Sequence, residues 1–301
     1  MSILSKIKRG DASLPDRVLL AGPEGIGKST FASGAPAPLF ICAEDGLKGL
    51  DHVQRLSPES LQEVHQIIDE LIVDRKGYKT LVIDTADWLE RLIYAGICQR
   101  DGKSNIEDYG YGKGYVIAEN ELVNILGKLD KLRSKGMGIV ILSHVQIKTF
   151  NDPTGESWDR YEMKGHKRMT GILREWTDAC LFAVREVVKT KAKSDRNEKT
   201  IDGGKVIHTE WSPAWDAKNR LNLPAKIEVE ELNWEDFDNA VKANSIDTLR
   251  EQFKSAVATA VAKGKMPETV KQSVEKFLSQ IETHSAATLK KAIQRVTVYA
   301  N

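Results

Sequence analysis

The stretch Gly22–Thr30, GPEGIGKST, places glycine, lysine and a hydroxyl residue in the order G-x-x-x-x-G-K-[ST], the P-loop spacing. It follows the apolar run Val18-Leu19-Leu20-Ala21 and leads into Phe31-Ala32, so it reads as strand, glycine-rich loop and helix start. Each residue type has a task in phosphate chemistry. Gly22, Gly25 and Gly27 are expected to turn with positive φ and to let the backbone approach a ligand without a Cβ in the way. The N–H groups of the stretch then form a concave anion nest at the positive end of a helix dipole. Lys28 is placed to hold β- and γ-phosphates as a point charge, and the Ser29 hydroxyl to ligate Mg²⁺. Gly22, Pro23, Glu24, Gly25, Ile26, Gly27, Lys28, Ser29 and Thr30 are therefore the candidate nucleotide-binding residues, with ATP and Mg²⁺ as the expected cofactors. The bland alternative, a glycine turn that happens to precede a helix, lacks a reason for the strand on one side and the lysine on the other.

Further strand ends carry polar groups that belong beside such a loop. Thr80-Leu81-Val82-Ile83-Asp84-Thr85 has the Walker B form, an apolar run delivering Asp84 to the crevice where α/β sheets bind ligands. Asp84 is expected to hold Mg²⁺ through water. Gly138-Ile139-Val140-Ile141-Leu142 ends in Ser143-His144, and Leu39-Phe40-Ile41-Cys42-Ala43 ends in Glu44-Asp45-Gly46. A lone histidine or a strand-end acid is more often structural, but these positions are not random.

Helices must lie between these strands. The 3.6-residue period of Leu61, Val64, Ile67, Ile68 and Leu71 predicts a helix near 60–74, capped by Ser60 or Ser57, and further helices are predicted over 88–99 and 118–135. Strand and helix alternate from 17 to about 188, which argues for a wound, mostly parallel α/β sheet. From Asn233 onward Ala-, Lys- and Glu-rich segments predict helices over 235–242, 246–263, 267–282 and 285–297. The expected organisation is a polar lead-in over 1–16, an ATPase domain over 17–232 and a C-terminal helical region over 233–301.

Two segments have no clear period. Residues 101–115, DGKSNIEDYGYGKGY, read as a loop in which Tyr109, Tyr111, Lys113 and Tyr115 either stack and contact a single strand of nucleic acid or decorate a flexible surface. Residues 146–170 are polar, basic and aromatic, including Lys148, Arg160, Lys164 and Lys167, and a segment of that kind is functional or disordered. The 301 residues carry a net charge of +1, so any nucleic-acid surface must be local. Apolar runs stay far below the ~20 residues of a membrane span. The three scattered cysteines argue against a disulfide framework or a zinc site and for a reducing cytoplasm.

These residues resemble the RecA core: GPEGIGKST, the strand ending Cys42-Ala43-Glu44, LVIDT, ILSHV and Lys218-Asn219-Arg220 occur in its order. More closely, residues 17–225 are similar to the phage nucleotide-binding family of compact RecA-core proteins, some described as single-strand annealing recombinases. The tracts YGKGY, DPTGESWDRY, REWTDA and AKNRLNLP carry that similarity. The resemblance implies a RecA-like P-loop core with Glu44 as the general base, Asp45 competing for that role, and His144 as a γ-phosphate sensor. It also implies Lys218 and Arg220 as cations acting on a neighbouring subunit's nucleotide, hence a filament or ring of identical chains. The loops 101–115 and 146–167 would face single-stranded DNA, with a single-strand DNA-binding protein as a further partner. The sensor is His where RecA has Gln, the N-terminal segment is short for a docking helix, and residues 235–301 lie outside the similarity. Strand annealing or pairing in phage recombination or replication is the first expectation. A RecA-like helicase or motor, and a nucleotide-gated loader with slow hydrolysis, are the alternatives.

Overall fold

A computed structural model describes residues 16–42, 49–190 and 199–300. Glu44, Asp45 and the polar lead-in up to residue 15 lie outside the described residues. The chain divides into one unit of Met1–Asn219 with Lys226–Trp234, and a second of Arg220–Ala225 with Glu235–Asn301.

The first unit is built on one sheet. Its central strands β1 (Arg17–Gly22), β2 (Pro38–Cys42), β4 (Thr80–Asp84) and β5 (Gly138–Phe150) run parallel, in the order β2-β4-β5-β1. Their apolar runs are continuous because strands covered on both faces have no solvent side; Leu19, Leu20, Phe40, Leu81, Val82 and Ile139 are all buried. A short β3 (Gln54–Leu56) pairs with β2 at one end of the sheet. On the other side β7 (Ala179–Thr190) pairs parallel with β1, then β8 (Lys199–His208) and β9 (Lys226–Val229) continue antiparallel. Arg17 fixes the start of β1 by reaching Asp178, just ahead of β7, through Nη2 at 2.7 Å and Nε at 3.1 Å. This is a wound, mostly parallel α/β sheet, as the alternation of elements predicts.

Helices α2 (Leu61–Val73), α3 (Ala86–Arg100), α4 (Lys113–Ser134) and α5 (Lys167–Trp176) contribute to the core against the sheet. Ser60 caps α2, its hydroxyl accepting from the Glu63 N–H at 3.2 Å, a bond of the kind worth about 1 kcal/mol.

Two segments that look irregular in the sequence are regular in the structure. In 101–115 a 3₁₀ turn covers Ile106–Tyr109 and α4 begins at Lys113. Asn105 Oδ1 accepts from the Glu107 N–H at 2.8 Å while Asp108 accepts from the Asn105 N–H at 3.1 Å, so the N-terminal end of the turn is closed by a reciprocal pair of side-chain caps. Gly114 is helical; a Cβ there would stand 2.3 Å from the Ile106 carbonyl, so the glycine permits the 3₁₀ turn to lie on the helix. In 146–170, β5 runs on past Leu142 to Phe150 and returns as β6 (Trp158–Met163) in an antiparallel hairpin. Phe150 and Trp158 pair across it with ring centroids 4.9 Å apart, and Thr149 donates to Asp159 at 2.7 Å. Such cross-strand pairs stabilise a hairpin even when one face is wet.

The second unit is helical: α7 (Ile246–Ala262), α8 (Glu268–Ser279) and α9 (Ala286–Ala300) close on Leu249, Phe253, Val274, Leu289 and Val296. The helix α6 (Trp234–Ala243) leads into it. No described helix is long and apolar enough to cross a membrane.

Candidate functional site

Parallel register brings the strand ends together. Gly22 at the end of β1 is aligned with His144 on β5, Asp84 at the end of β4 with Leu142, and Cys42 at the end of β2 with Asp84. The loop after β1 thus opens at the carboxyl edge of the sheet, flanked by the strands that carry Asp84 and His144.

Within that loop Gly25 (φ 73°) and Gly27 (φ 110°) take the left-handed backbone the motif demands. Gly22 does not, which corrects the expectation for it. Its requirement is steric: a Cβ would meet the Ala183 carbonyl oxygen at 2.7 Å and Ile26 Cγ2 at 3.2 Å. Ile26 is buried and anchors the loop, so its side chain faces the protein and only its backbone is available to a ligand. Gly22→Ala is expected to cost about 1–3 kcal/mol, because the obstructing atom is backbone and cannot rotate away. Urea denaturation checks this; an unchanged midpoint would mean that β1 and β7 tolerate a wider spacing.

The helix α1 (Lys28–Ser33) starts inside the motif. Lys28 is buried, and its ammonium donates to the Gly22 carbonyl at 3.0 Å and the Pro23 carbonyl at 2.9 Å, so the charge is held at the mouth of the loop. Ser29 Oγ donates to Asp84 Oδ2 at 2.7 Å. Burial raises the Asp84 carboxyl above its ordinary range, against the Ser29 hydrogen bond and the positive charge of Lys28. A hydroxyl and a desolvated carboxylate, with oxygen as the only donor atom, suit Mg²⁺ shared with phosphate oxygens. Among the described residues no group of three or more His, Cys, Asp or Glu forms a metal cluster, so a dedicated protein cage for another metal is not what these residues build.

His144 is held by Asp87, which the sequence reading missed. The His144 ring Nδ1 lies 3.2 Å from Asp87 Oδ2, and its backbone N–H is 3.4 Å from Oδ1. Burial pushes the Asp87 carboxyl up, but its interactions with His144 and Thr85 together outweigh that and hold the group down at about 2. Asp87 therefore stays ionised and fixes the ring that shares the crevice with Asp84.

The residues expected to contact nucleic acid fall into two groups. Tyr109 and Tyr115 are engaged internally. Tyr109 donates to the Ile97 carbonyl at 3.0 Å and lies 2.7 Å from Asp101. Tyr115 bonds Glu107 and stacks on His166 with centroids 4.0 Å apart. Arg160 is buried and reaches Asp216. These three hold the fold together and are not free strand contacts, which corrects that part of the expectation. Tyr111, Lys113, Lys148 and Lys167 are exposed, Tyr111 completely so.

The two segments do meet. Besides the Tyr115–His166 stack, Arg168 pairs with Glu119 at 2.8 Å. Buried Glu90, also missed, accepts the His166 N–H at 3.0 and 3.1 Å and the Tyr94 hydroxyl at 2.5 Å. Asp87 and Glu90 stand three apart on α3, one face of a helix; two acids at that spacing on an otherwise apolar face were the available signal. Lys164 touches the cradle itself: its ammonium lies 3.9 Å from Glu24, and its backbone N–H donates to the His144 carbonyl at 2.8 Å.

Lys218 is placed differently from what the resemblance implied. Its ammonium donates to the carbonyls of Arg174 and Glu175 at 2.8 Å and of Thr177 at 2.6 Å, closing the C-terminal end of α5. A cation there is favoured by the helix dipole, so this lysine has a structural task within its own chain. Arg220 belongs to the other unit.

No curated protein matches the chain. A family model described as AAA domain matches residues 14–221. That span takes in β1, the cradle, Asp84, Asp87 and His144 and ends two residues beyond the first unit's main segment. Match and geometry thus concern the same residues, and the chain belongs to the AAA domain family, the AAA-type P-loop ATPases.

Proposed function

We propose that this ATPase couples its nucleotide cycle to a single DNA strand and works as a homo-oligomer in strand annealing or pairing of the phage recombination or replication kind. The observation that carries the reading is the double attachment of Lys164. One residue after β6, it reaches the phosphate loop through Glu24 and the sensor strand through the His144 carbonyl. A change at the γ-phosphate is thereby passed to the 146–167 hairpin and, through the His166 stack, to Tyr115 and the exposed Tyr111-Gly112-Lys113 tip.

The chain's own residues divide the work. Backbone N–H groups of 24–30 and the Lys28 ammonium bind and orient the triphosphate. Ser29 and Asp84 would hold Mg²⁺, which neutralises charge on the phosphate oxygens. His144, oriented by Asp87, contacts the terminal phosphate, and Glu44 orients the attacking water in this reading. The cation supplied to a neighbouring subunit is assigned to Arg220, since Lys218 is occupied as a helix cap.

The test is ATP turnover with and without a single-stranded oligonucleotide. Stimulation by the strand, with binding that weakens steeply as salt rises, is the expected result; equal rates under both conditions would sink the reading. Replacing Tyr109 and Tyr115 would damage packing, so the informative change is Tyr111→Ala. Losing one stacking platform should weaken strand binding by about tenfold or more, as fluorescence anisotropy would measure.

A further inference from the structure

The helical second unit carries a groove of about 570 Å³ between α8 and α9, to which α7 contributes the buried Phe253. Its lining recurs at three- and four-residue spacing over positions 270–277 of α8 and 288–299 of α9. At about 1.5 Å per residue, the α9 side makes it about 16 Å long. Val270, Phe277 and Tyr299 are only half-buried although they pack on the core of the unit, and Val298 is 71% exposed. The volume falls within the range of about 300–1,000 Å³ typical of binding pockets. A contiguous apolar surface left open to water and rimmed by polar groups marks an interaction site.

The rim is charged with one sign. Lys291 and Arg295 line the groove, and no Asp or Glu does so among the described residues. The two cations are exposed and stand four apart on α9, where like charges repel. Elsewhere in the unit such charges are offset within the helix: Lys254 pairs with Glu251 on α7 at 2.8 Å, and Lys271 with Glu268 on α8 at 3.1 Å. The α9 sequence holds no acid that could do the same. An apolar trough edged by two cations is complementary to a helix with apolar residues on one face and carboxylates beside them.

The chain's own candidates are excluded by charge or by burial. The lead-in has Ile3, Leu4 and Ile7 but carries Lys6, Lys8 and Arg9, the same sign as the rim. The acidic and aromatic stretch 228–238 has the right sign, yet its Leu232 and Phe237 are buried where they stand. A polynucleotide is poorly matched, since its affinity grows with the number of phosphates neutralised and this groove offers two cations on a hydrocarbon surface. We propose that the groove between α8 and α9 is a docking site for an acidic amphipathic helix of another protein. The apolar face of that helix lies on Phe277, Val298 and Tyr299, and its carboxylates pair with Lys291 and Arg295. The site rests on the helical unit alone and does not depend on strand pairing.

In the test, the full chain is immobilised and panned against a displayed library of random peptides about 16 residues long, enough for about four helical turns. Enriched peptides are synthesised with a fluorescent label, and anisotropy gives their Kd. The expected pool is rich in Asp and Glu, with large apolar residues at i, i+3, i+4 and i+7. The double variant Lys291→Glu/Arg295→Glu should weaken these peptides by about tenfold or more. Its melting curve and ATP turnover should match the parent's, because both side chains are exposed and neither belongs to the catalytic machinery. Panning on the variant should select basic peptides instead, which distinguishes charge pairing from a damaged fold. The proposal is overturned if the parent enriches no peptide, if the enriched peptides are uncharged or basic, or if they bind the variant at full strength. Self-association of the parent in sedimentation that the variant abolishes would assign the groove to a second copy and overturn it too. An oligonucleotide bound by the parent and lost in the variant, with no peptide enriched, would do the same in favour of nucleic acid.

Discussion

Lys28→Ala is expected to lower ATP turnover by about 10²–10³-fold, the scale on which one preorganised donor to a developing charge is felt. The reason lies in how the lysine is kept. It is buried at the first position of α1, with its ammonium at the mouth of the loop on the Gly22 and Pro23 carbonyls. A charge already desolvated and already in place loses little on meeting phosphate, so its effect is large. The same geometry predicts a second, smaller consequence. Truncation strips those two carbonyls of a donor and should cost roughly 1–3 kcal/mol of stability. Turnover must therefore be compared on protein shown to be folded by its melting curve, with binding of a fluorescent ATP analogue measured alongside. Turnover at the parent rate in the folded variant would remove the phosphate loop from the chemistry.

The central strands and the C-terminal helices are legible in the sequence because one simple pattern governs each. Strands covered on both faces admit only apolar residues, and Leu61 to Leu71 or Leu249 to Val257 mark a face at helical spacing. What escaped were places where two patterns are superimposed. Gly112 and Gly114 read as loop residues, yet Gly114 is helical because α4 and the Ile106–Tyr109 turn come too close for a Cβ; the Asn105–Asp108 capping pair was the signal that outweighs glycine content. The β5–β6 hairpin escaped because its wet face breaks the apolar run after Leu142. Asp87 and Glu90 escaped for a different reason. Their tasks, holding His144 and the His166 backbone, involve partners 57 and 76 residues away, a distance that no local period reports. Gly22 was assigned to the right site for the wrong cause, since a motif records which residue is needed without recording whether the obstacle is backbone angle or a neighbouring carbonyl.

Asp84→Asn should separate function from stability more cleanly than any other single change. The carboxyl sits at the end of β4, accepts the Ser29 hydroxyl at 2.7 Å and is raised above its ordinary value by burial. The sign of the linkage follows directly. A carboxyl that titrates higher in the folded chain than at its unfolded value of about 3.9 costs stability at neutral pH, where it is ionised in both states; that cost vanishes as pH falls through the raised value. The neutral isostere removes the cost while its amide remains within reach of Ser29, so the melting temperature at pH 7 should hold or rise. Turnover should fall by about 100-fold or more, because the oxygen that would hold Mg²⁺ against the phosphates has lost its charge. The variant should also need a higher Mg²⁺ concentration for half-maximal rate. A destabilised variant would show that the buried carboxylate is a structural acceptor. A stable one with undiminished Mg²⁺-dependent turnover would show that the metal is held elsewhere.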